Sequence, residues 1–338
     1  MPPPPKPPIS PVRWRPPPVE PLPDFPGIGA QDLTIVPVPG HAPEDVVVDP
    51  EGRLWTGVDD GRIVCISPGG AATVVANTGG RPLGLAVAAD GRLLICDSPR
   101  GLLAMDRATG ALTTLVDTVI DAGGPRHLQF TSNVIELPDG TIYFTESTSA
   151  LTYAHFTGAV LEARGRGSLF RRDPDGTVSI VADGLYFANG VAPTLDGTAL
   201  VVAETLGRRI SKYWLSGPRA GSLTPLAVNL PGYPDNMSTG SDGRIWVALV
   251  TSVNRTAEWL APRAPVLRKV VWRLPERLTP TLAPSVWAVA FDPDTGEATA
   301  GLRTRHPRFS QVTGVVEVDG RLWMGSIGAA AVAHCALP

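Results

Sequence analysis

The chain has 338 residues, a net charge of −3 and 43 % hydrophobic residues. That allows one large core or two smaller ones, and it offers no basis for a nucleic-acid partner. No apolar run approaches the ~20 residues that span a bilayer, so no transmembrane segment is expected. The three cysteines, Cys65, Cys96 and Cys335, fit no zinc spacing and read as small buried thiols of a protein in the reducing cytoplasm.

The chain opens MPPPPKPPISPVRWRPPPVEPLP. Prolines at this density remove backbone donors and lock φ, which forbids helix and sheet and favours polyproline II. Residues 1–26 are expected to form an extended arm, and they lack the apolar stretch of a secretory leader.

From residue 27 to 338 the sequence repeats. An acidic-glycine turn recurs six times, in PEGRLW (Gly52), ADGRLL (Gly91), PDGTIY (Gly140), LDGTAL (Gly197), SDGRIW (Gly243) and VDGRLW (Gly320). Such a pair between alternating apolar runs signals a hairpin. A second turn alternates with it, in GGAATVV, TGALTTL, DGTVSIV, AGSLTPL and TGEATAG. The turn at Gly320 has no such successor, and its missing outer strand is supplied by GAQDLTIVPV at the other end of the chain. Six four-stranded units closed by an N-terminal strand predict an all-β, six-bladed β-propeller.

The residues eight before each first-turn glycine are Glu44, Leu83, Ser132, Asn189, Asp235 and Val312, and those seven before are Asp45, Gly84, Asn133, Gly190, Asn236 and Thr313. Equivalent positions of a propeller form a ring at the channel mouth. Four blades would then direct oxygen-bearing side chains to one axis: Glu44, Ser132 or Asn133, Asn189, and Asp235 with Asn236. Asparagine suits a strand start poorly unless it makes a turn or binds something. Carboxylates and amides without histidine or thiolate suit a hard cation, and we expect one calcium (Ca2+) on the channel axis.

Residues of about 254–280 interrupt the fifth blade. Apolar Trp259, Leu260, Val266, Leu267, Val270, Val271 and Leu274 interleave with arginines and a lysine, and Pro262 and Pro265 divide a short turn from a helix over about 265–275. Such a helix can lie on a membrane surface; a cap folded over the channel is the preferred expectation. Tyr153, Phe156, Phe187, Tyr233 and Trp259 would give the pocket beneath it an aromatic wall. His127 and His155 are the histidines nearest the expected mouth, although the five histidines form no motif.

The segments PEDVVVDPEGRLWTG, RPLGLAVAADG, GTIYFTEST, GLYFANGVAPTLDG, ETLGRRISKYWLSGPRAG and NLPGYPDNMS resemble the strictosidine-synthase-like proteins. Those belong to the six-bladed calcium propellers that include gluconolactonase (regucalcin) and paraoxonase. The resemblance implies metal ligands at Glu44, Asn189 and Asp235, with Asn236 beside the last and either Ser132 or Asn133 in the third blade. It also implies departures. Thr313 stands where the plant condensing enzymes carry a glutamate, and Leu83 where paraoxonases carry a histidine. The reading is a calcium-dependent hydrolase of lactones or esters with a small, hydrophobic substrate, in which Asp235 orients or deprotonates the attacking water. Asp45 and Glu146 are weaker acid–base candidates. The alternatives are a condensing or cyclising enzyme with altered acid–base residues, or a propeller that only binds partners.

Overall fold

The computed structural model describes residues 5–25, 28–275 and 282–338. Six antiparallel four-stranded sheets surround a channel. Their first strands are Val47–Val48, Arg81–Val87, Thr131–Glu136, Ala188–Pro193, Gly232–Thr239 and Val312–Val318, and these contact one another around the axis. The expected closure holds. Thr34–Pro37 forms the outer strand of blade 6, pairing antiparallel with Ala331–Ala336 from Thr34↔His334 to Pro37↔Ala331.

Strand alternation builds the core. Successive side chains leave a sheet on opposite faces, so each blade feeds two interblade gaps. Leu200 and Val202 pack toward blade 3, whereas Val201 and Ala203 pack toward blade 5. One apolar cluster fills each gap, including the gap between blades 6 and 1, where Val332 meets Val46 and Val64. The turn glycines of both kinds have φ between +68° and +92°, a region in which a Cβ is strained.

Three helices cover one end of the channel. Phe156–Glu162 lies in the connection between the second and third strands of blade 3, and Arg255–Leu260 and Pro265–Arg273 lie in blade 5. Asn254 caps the first of the blade 5 pair by accepting from the N–H groups of Thr256 and Ala257. The last, expected over about 265–275, starts on Pro265 and ends at Arg273. Residues 276–281 of the expected cap lie outside the described residues. A two-stranded ribbon that the turn pattern did not anticipate, Thr118–Asp121 with Gly124–His127, precedes blade 3.

The proline-rich arm runs over this cap and down the side of the propeller. Ile9 is buried with Leu161, Leu260 and Trp272 of the cap, and Leu22 and Phe25 pack on the cluster between blades 4 and 5. Two buried arginines fasten it. Arg268 donates to the carbonyls of Leu161 and Val12, and Arg208 to those of Leu230, Pro17 and Pro18. Arg208 also pairs with Glu258 of the cap at 2.9 Å.

Candidate functional site

The ring is made by a repeated backbone irregularity. In blades 2 to 6 the pairing of first and second strands skips two residues, leaving Leu83–Gly84, Ser132–Asn133, Asn189–Gly190, Asp235–Asn236 and Thr313–Gly314 inside the break. A bulge bends its strand and re-aims a side chain, here at the channel. Glycine counting misplaced one position. Blade 6 has a tight Asp319–Gly320 turn between Val318 and Arg321, so its bulge pair begins at Thr313 rather than Val312. The Asn-Gly pair now has a physical reason. A Cβ on residue 190 would lie 2.6 Å from the Asp235 carbonyl, so glycine permits the close approach of blades 4 and 5.

The ring residues divide into two tiers. The upper tier lines a cavity of about 140 Å³ beneath the cap and comprises Glu44, Asn189, Asp235 and Thr313. Asn189 Nδ2 donates to Asp235 Oδ1 at 2.6 Å and to Thr205 Oγ1 at 3.3 Å, while its own Oδ1 is buried without a partner. Thr313 Oγ1 donates to the Glu44 carbonyl at 2.7 Å. Arg81, which the sequence reading did not single out, donates to Glu44 Oε2 at 3.3 Å and lies 4.9 Å from the ring centre of Tyr153.

The lower tier braces the blades. Asn133 Nδ2 donates to Asp45 Oδ2 at 3.2 Å and to Asn236 Oδ1 at 3.1 Å, and its Oδ1 accepts from Val191 N. Asp45 Oδ2 accepts from Leu85 N at 3.0 Å. Five blades are thereby joined by one amide and one carboxylate. Asn133 therefore lies below the cavity, with its oxygen engaged, and Ser132 shares a 2.5 Å hydrogen bond with Ser147. Neither of the two alternative third-blade ligands is among the cavity's lining residues.

The other candidates fall at varied distances from this centre. Tyr153, Phe156, Phe187 and Tyr233 line the cavity, together with Phe130, Val160 and Leu206. Trp259 does not: it is 58 % exposed, with Arg263 stacked on its ring. The helical spacing that placed it on the cap could not tell which way the cap would roll. His127 bonds to Thr118 Oγ1 on the exposed ribbon, and His155 sits edge-on to Trp272 in the cap. Glu146 is a structural acceptor, paired with Arg126 at 2.7 Å and bonded to Gln129 N. Leu83 is buried in the apolar cluster beneath the cap.

Charge is poorly compensated on the cavity floor. Burial pushes the Glu44 carboxyl up to about 7, against the pull of Arg81 and with a further push from Asp45. Burial likewise raises Asp45 to about 7. Asp235 is held well above the usual carboxylate range by burial and by the carboxylates of Glu44 and Asp45. Among the described residues no group of three or more His, Cys, Asp or Glu is set to hold a metal. The floor offers instead two carboxylates and a buried amide oxygen lacking a donor, a set whose unmet demand is for positive charge. An oxygen-seeking cation fits it: Glu44, Asp235 and Asn189 would hold it, with water completing the shell.

The six-bladed propeller thus carries an acid-and-amide pocket at one channel mouth, concave and mostly apolar with few converging polar groups, the features common to small-molecule sites. The chain belongs to the SMP-30/gluconolactonase/LRE-like family, whose model matches residues 54–271, and the strictosidine synthase-like N-terminal model matches residues 31–66. It is 32 % identical to strictosidine synthase-like protein 4 of Arabidopsis thaliana over 84 % of this chain and 76 % of that protein. Its fold matches a gluconolactonase from Xanthomonas campestris, with a TM-score of 0.66 and 20 % identity, over 90 % of this chain and 89 % of the other. It also matches the calcium-binding regucalcin of Agrobacterium tumefaciens, with a TM-score of 0.60 and 17 % identity, over 93 % and 94 % of the two chains.

Proposed function

We propose that this protein is a calcium-dependent hydrolase of lactones or esters that carry an apolar group. The observation that carries the reading is the cavity floor: two carboxylates and an unpartnered amide oxygen under aromatic walls. Calcium held by Glu44, Asn189 and Asp235 would supply Lewis-acid chemistry at a substrate carbonyl and offset negative charge developing there. Asp235 is the carboxylate we assign to take a proton from an attacking water, and the Asn189 amide holds it in place. The phenyl and phenol rings of Phe130, Tyr153, Phe187 and Tyr233 exclude bulk water and favour a ring-sized apolar group. The cavity is close to the roughly 150 Å³ that accommodates benzene. The family membership and the likeness in fold to a gluconolactonase support a lactonase type of chemistry.

A condensing reaction finds less support, because the position expected to carry its glutamate is Thr313, whose hydroxyl is spent on the Glu44 carbonyl. The test is a panel of γ- and δ-lactones and aryl esters, assayed with calcium and with EDTA. Turnover should require calcium, and Asp235→Ala should lower kcat by more than the 10²–10⁴-fold of a single general base, since it also removes a ligand. Activity that survives both EDTA and Asp235→Ala would refute the mechanism. Condensation of an amine with an aldehyde by the wild type would overturn the class.

A further inference from the structure

A second, smaller cavity of about 40 Å³ adjoins the first. Val160, Leu206, Tyr233 and Ala257 line both, so these four residues form the partition between them. Besides Tyr186 and residues of the cap, the second chamber is lined by Trp14 of the proline-rich arm, whose indole stacks on Tyr186 with ring centres 5.8 Å apart and planes 26° apart. The arm is tied to the cap here: the Trp14 backbone N–H donates to the Ala261 carbonyl at 3.1 Å, and Val12 N donates to the Glu162 carbonyl at 3.1 Å. The chamber's two charged residues are already engaged. Glu258 is paired with Arg208, and the terminal nitrogens of Arg268 are bonded to the Leu161 and Val12 carbonyls. Apart from the buried Arg268 Nε, which has no hydrogen-bond partner, what remains open to an occupant is hydrocarbon and aromatic surface.

We propose that this chamber is a substrate subsite for an unbranched apolar tail, and that Trp14 of the arm sets the longest tail the protein accepts. The reacting carbonyl belongs over Asp235 and Asn189 in the first cavity. A tail leaving it toward the cap meets the Val160–Leu206–Tyr233–Ala257 partition and, beyond it, a chamber walled by the cap, Tyr186 and Trp14. The arm is then part of the binding site rather than an appendage. Its backbone is fixed by hydrogen bonds along the cap, so the wall does not yield to a longer chain. This inference rests on the reading of the first cavity as a site for apolar esters or lactones, and binding can be measured apart from turnover.

The binding arm of the test uses the fluorescent probe N-phenyl-1-naphthylamine, displaced by 1-alkanols of four to twelve carbons. In the wild type each added carbon should tighten binding about fourfold, the worth of one buried methylene, up to a chain length beyond which the gain stops. Trp14→Ala should move that break to longer chains, and Trp14→Phe should leave it nearly in place. Ala261→Leu, which fills the chamber from the cap side and keeps the backbone carbonyl that Trp14 bonds to, should move it to shorter chains. This second variant keeps the test decisive if Trp14→Ala loosens the arm. The kinetic arm measures kcat/KM for 4-nitrophenyl esters of the same lengths, where the same breaks should appear. Breaks that do not move in either variant overturn the proposal, whether or not esters are hydrolysed. Breaks that move in binding while no ester is turned over uphold the subsite and refute the hydrolase reading instead.

Discussion

Replacing Glu44 by glutamine removes one buried negative charge from the cavity floor while leaving an oxygen for Arg81. In the metal-free protein the ionised carboxylate is a burden, because burial raises its pKa from 4.5 to about 7 despite Arg81. An acid whose folded-state pKa is raised favours the protonated folded state. Its penalty is therefore absent below about pH 4.5, grows as the pH rises toward 7, and is complete above that. Each pH unit is worth about 1.4 kcal/mol, so the full penalty is about 3 kcal/mol. Glutamine mimics the protonated acid and escapes it. In EDTA at pH 8, urea unfolding should find Glu44→Gln more stable than wild type by about 3 kcal/mol, and at pH 5 the two should nearly coincide. Calcium should reverse the order. The wild type gains about 4.1 kcal/mol at a thousandfold excess over its Kd, more than its deficit of about 3 kcal/mol, and the variant, short of a ligand, gains little. A variant that is less stable than wild type in EDTA at pH 8 would refute the claim that the floor carries uncompensated charge. An order that calcium leaves unchanged would refute Glu44 as a ligand.

Asp49, at the first blade's inner hairpin, should behave oppositely with pH. Burial pushes its carboxyl up, but hydrogen bonds from Trp55 and Arg53 win and hold it near 2. Its stabilisation is present above about pH 4 and lost as the pH falls toward 2, so Asp49→Asn should cost about 2 kcal/mol at pH 7 and flatten the acid limb of stability against pH. Arg208→Met leaves Glu258 without its cation and the arm without two anchors; urea unfolding should show a loss of about 3–5 kcal/mol, with faster proteolysis between residues 5 and 25. A loss below about 1 kcal/mol would mean that the arm is held by its apolar contacts alone.

The architecture was legible in the sequence because its signals are local. A turn that needs φ near +70° to +90° selects glycine, alternation marks each strand, and a repeat of turns implies a repeat of blades. The unpaired turn at Gly320 even named its partner at Thr34–Pro37, since an unfinished sheet demands an edge. The ring residues Glu44, Asn189 and Asp235 were legible for the same reason: they recur at a fixed offset from a local landmark. The offset failed in blade 6, where the shorter turn displaced the count from Thr313 to Val312.

What the sequence left open depends on distance through space. Asn133 and Asn189 stand one place apart in the bulges of their strands, and only the assembled ring shows that this puts one in a brace between blades and the other at the cavity floor with a free oxygen. Arg81 stands two residues before an apolar ring position, and nothing along the chain announces that it will reach Glu44. Trp259 and Trp14 exchanged roles for a similar reason. A helix presents several faces, and which one turns inward is decided by what it packs against. The cap leaves Trp259 in solvent, while the arm brings Trp14 from 172 residues away in sequence to stack on Tyr186, close above blade 4. Proline content could say that the arm is extended, but not that two arginines on distant elements would be buried to hold its carbonyls, because that requires the whole fold to be in place first.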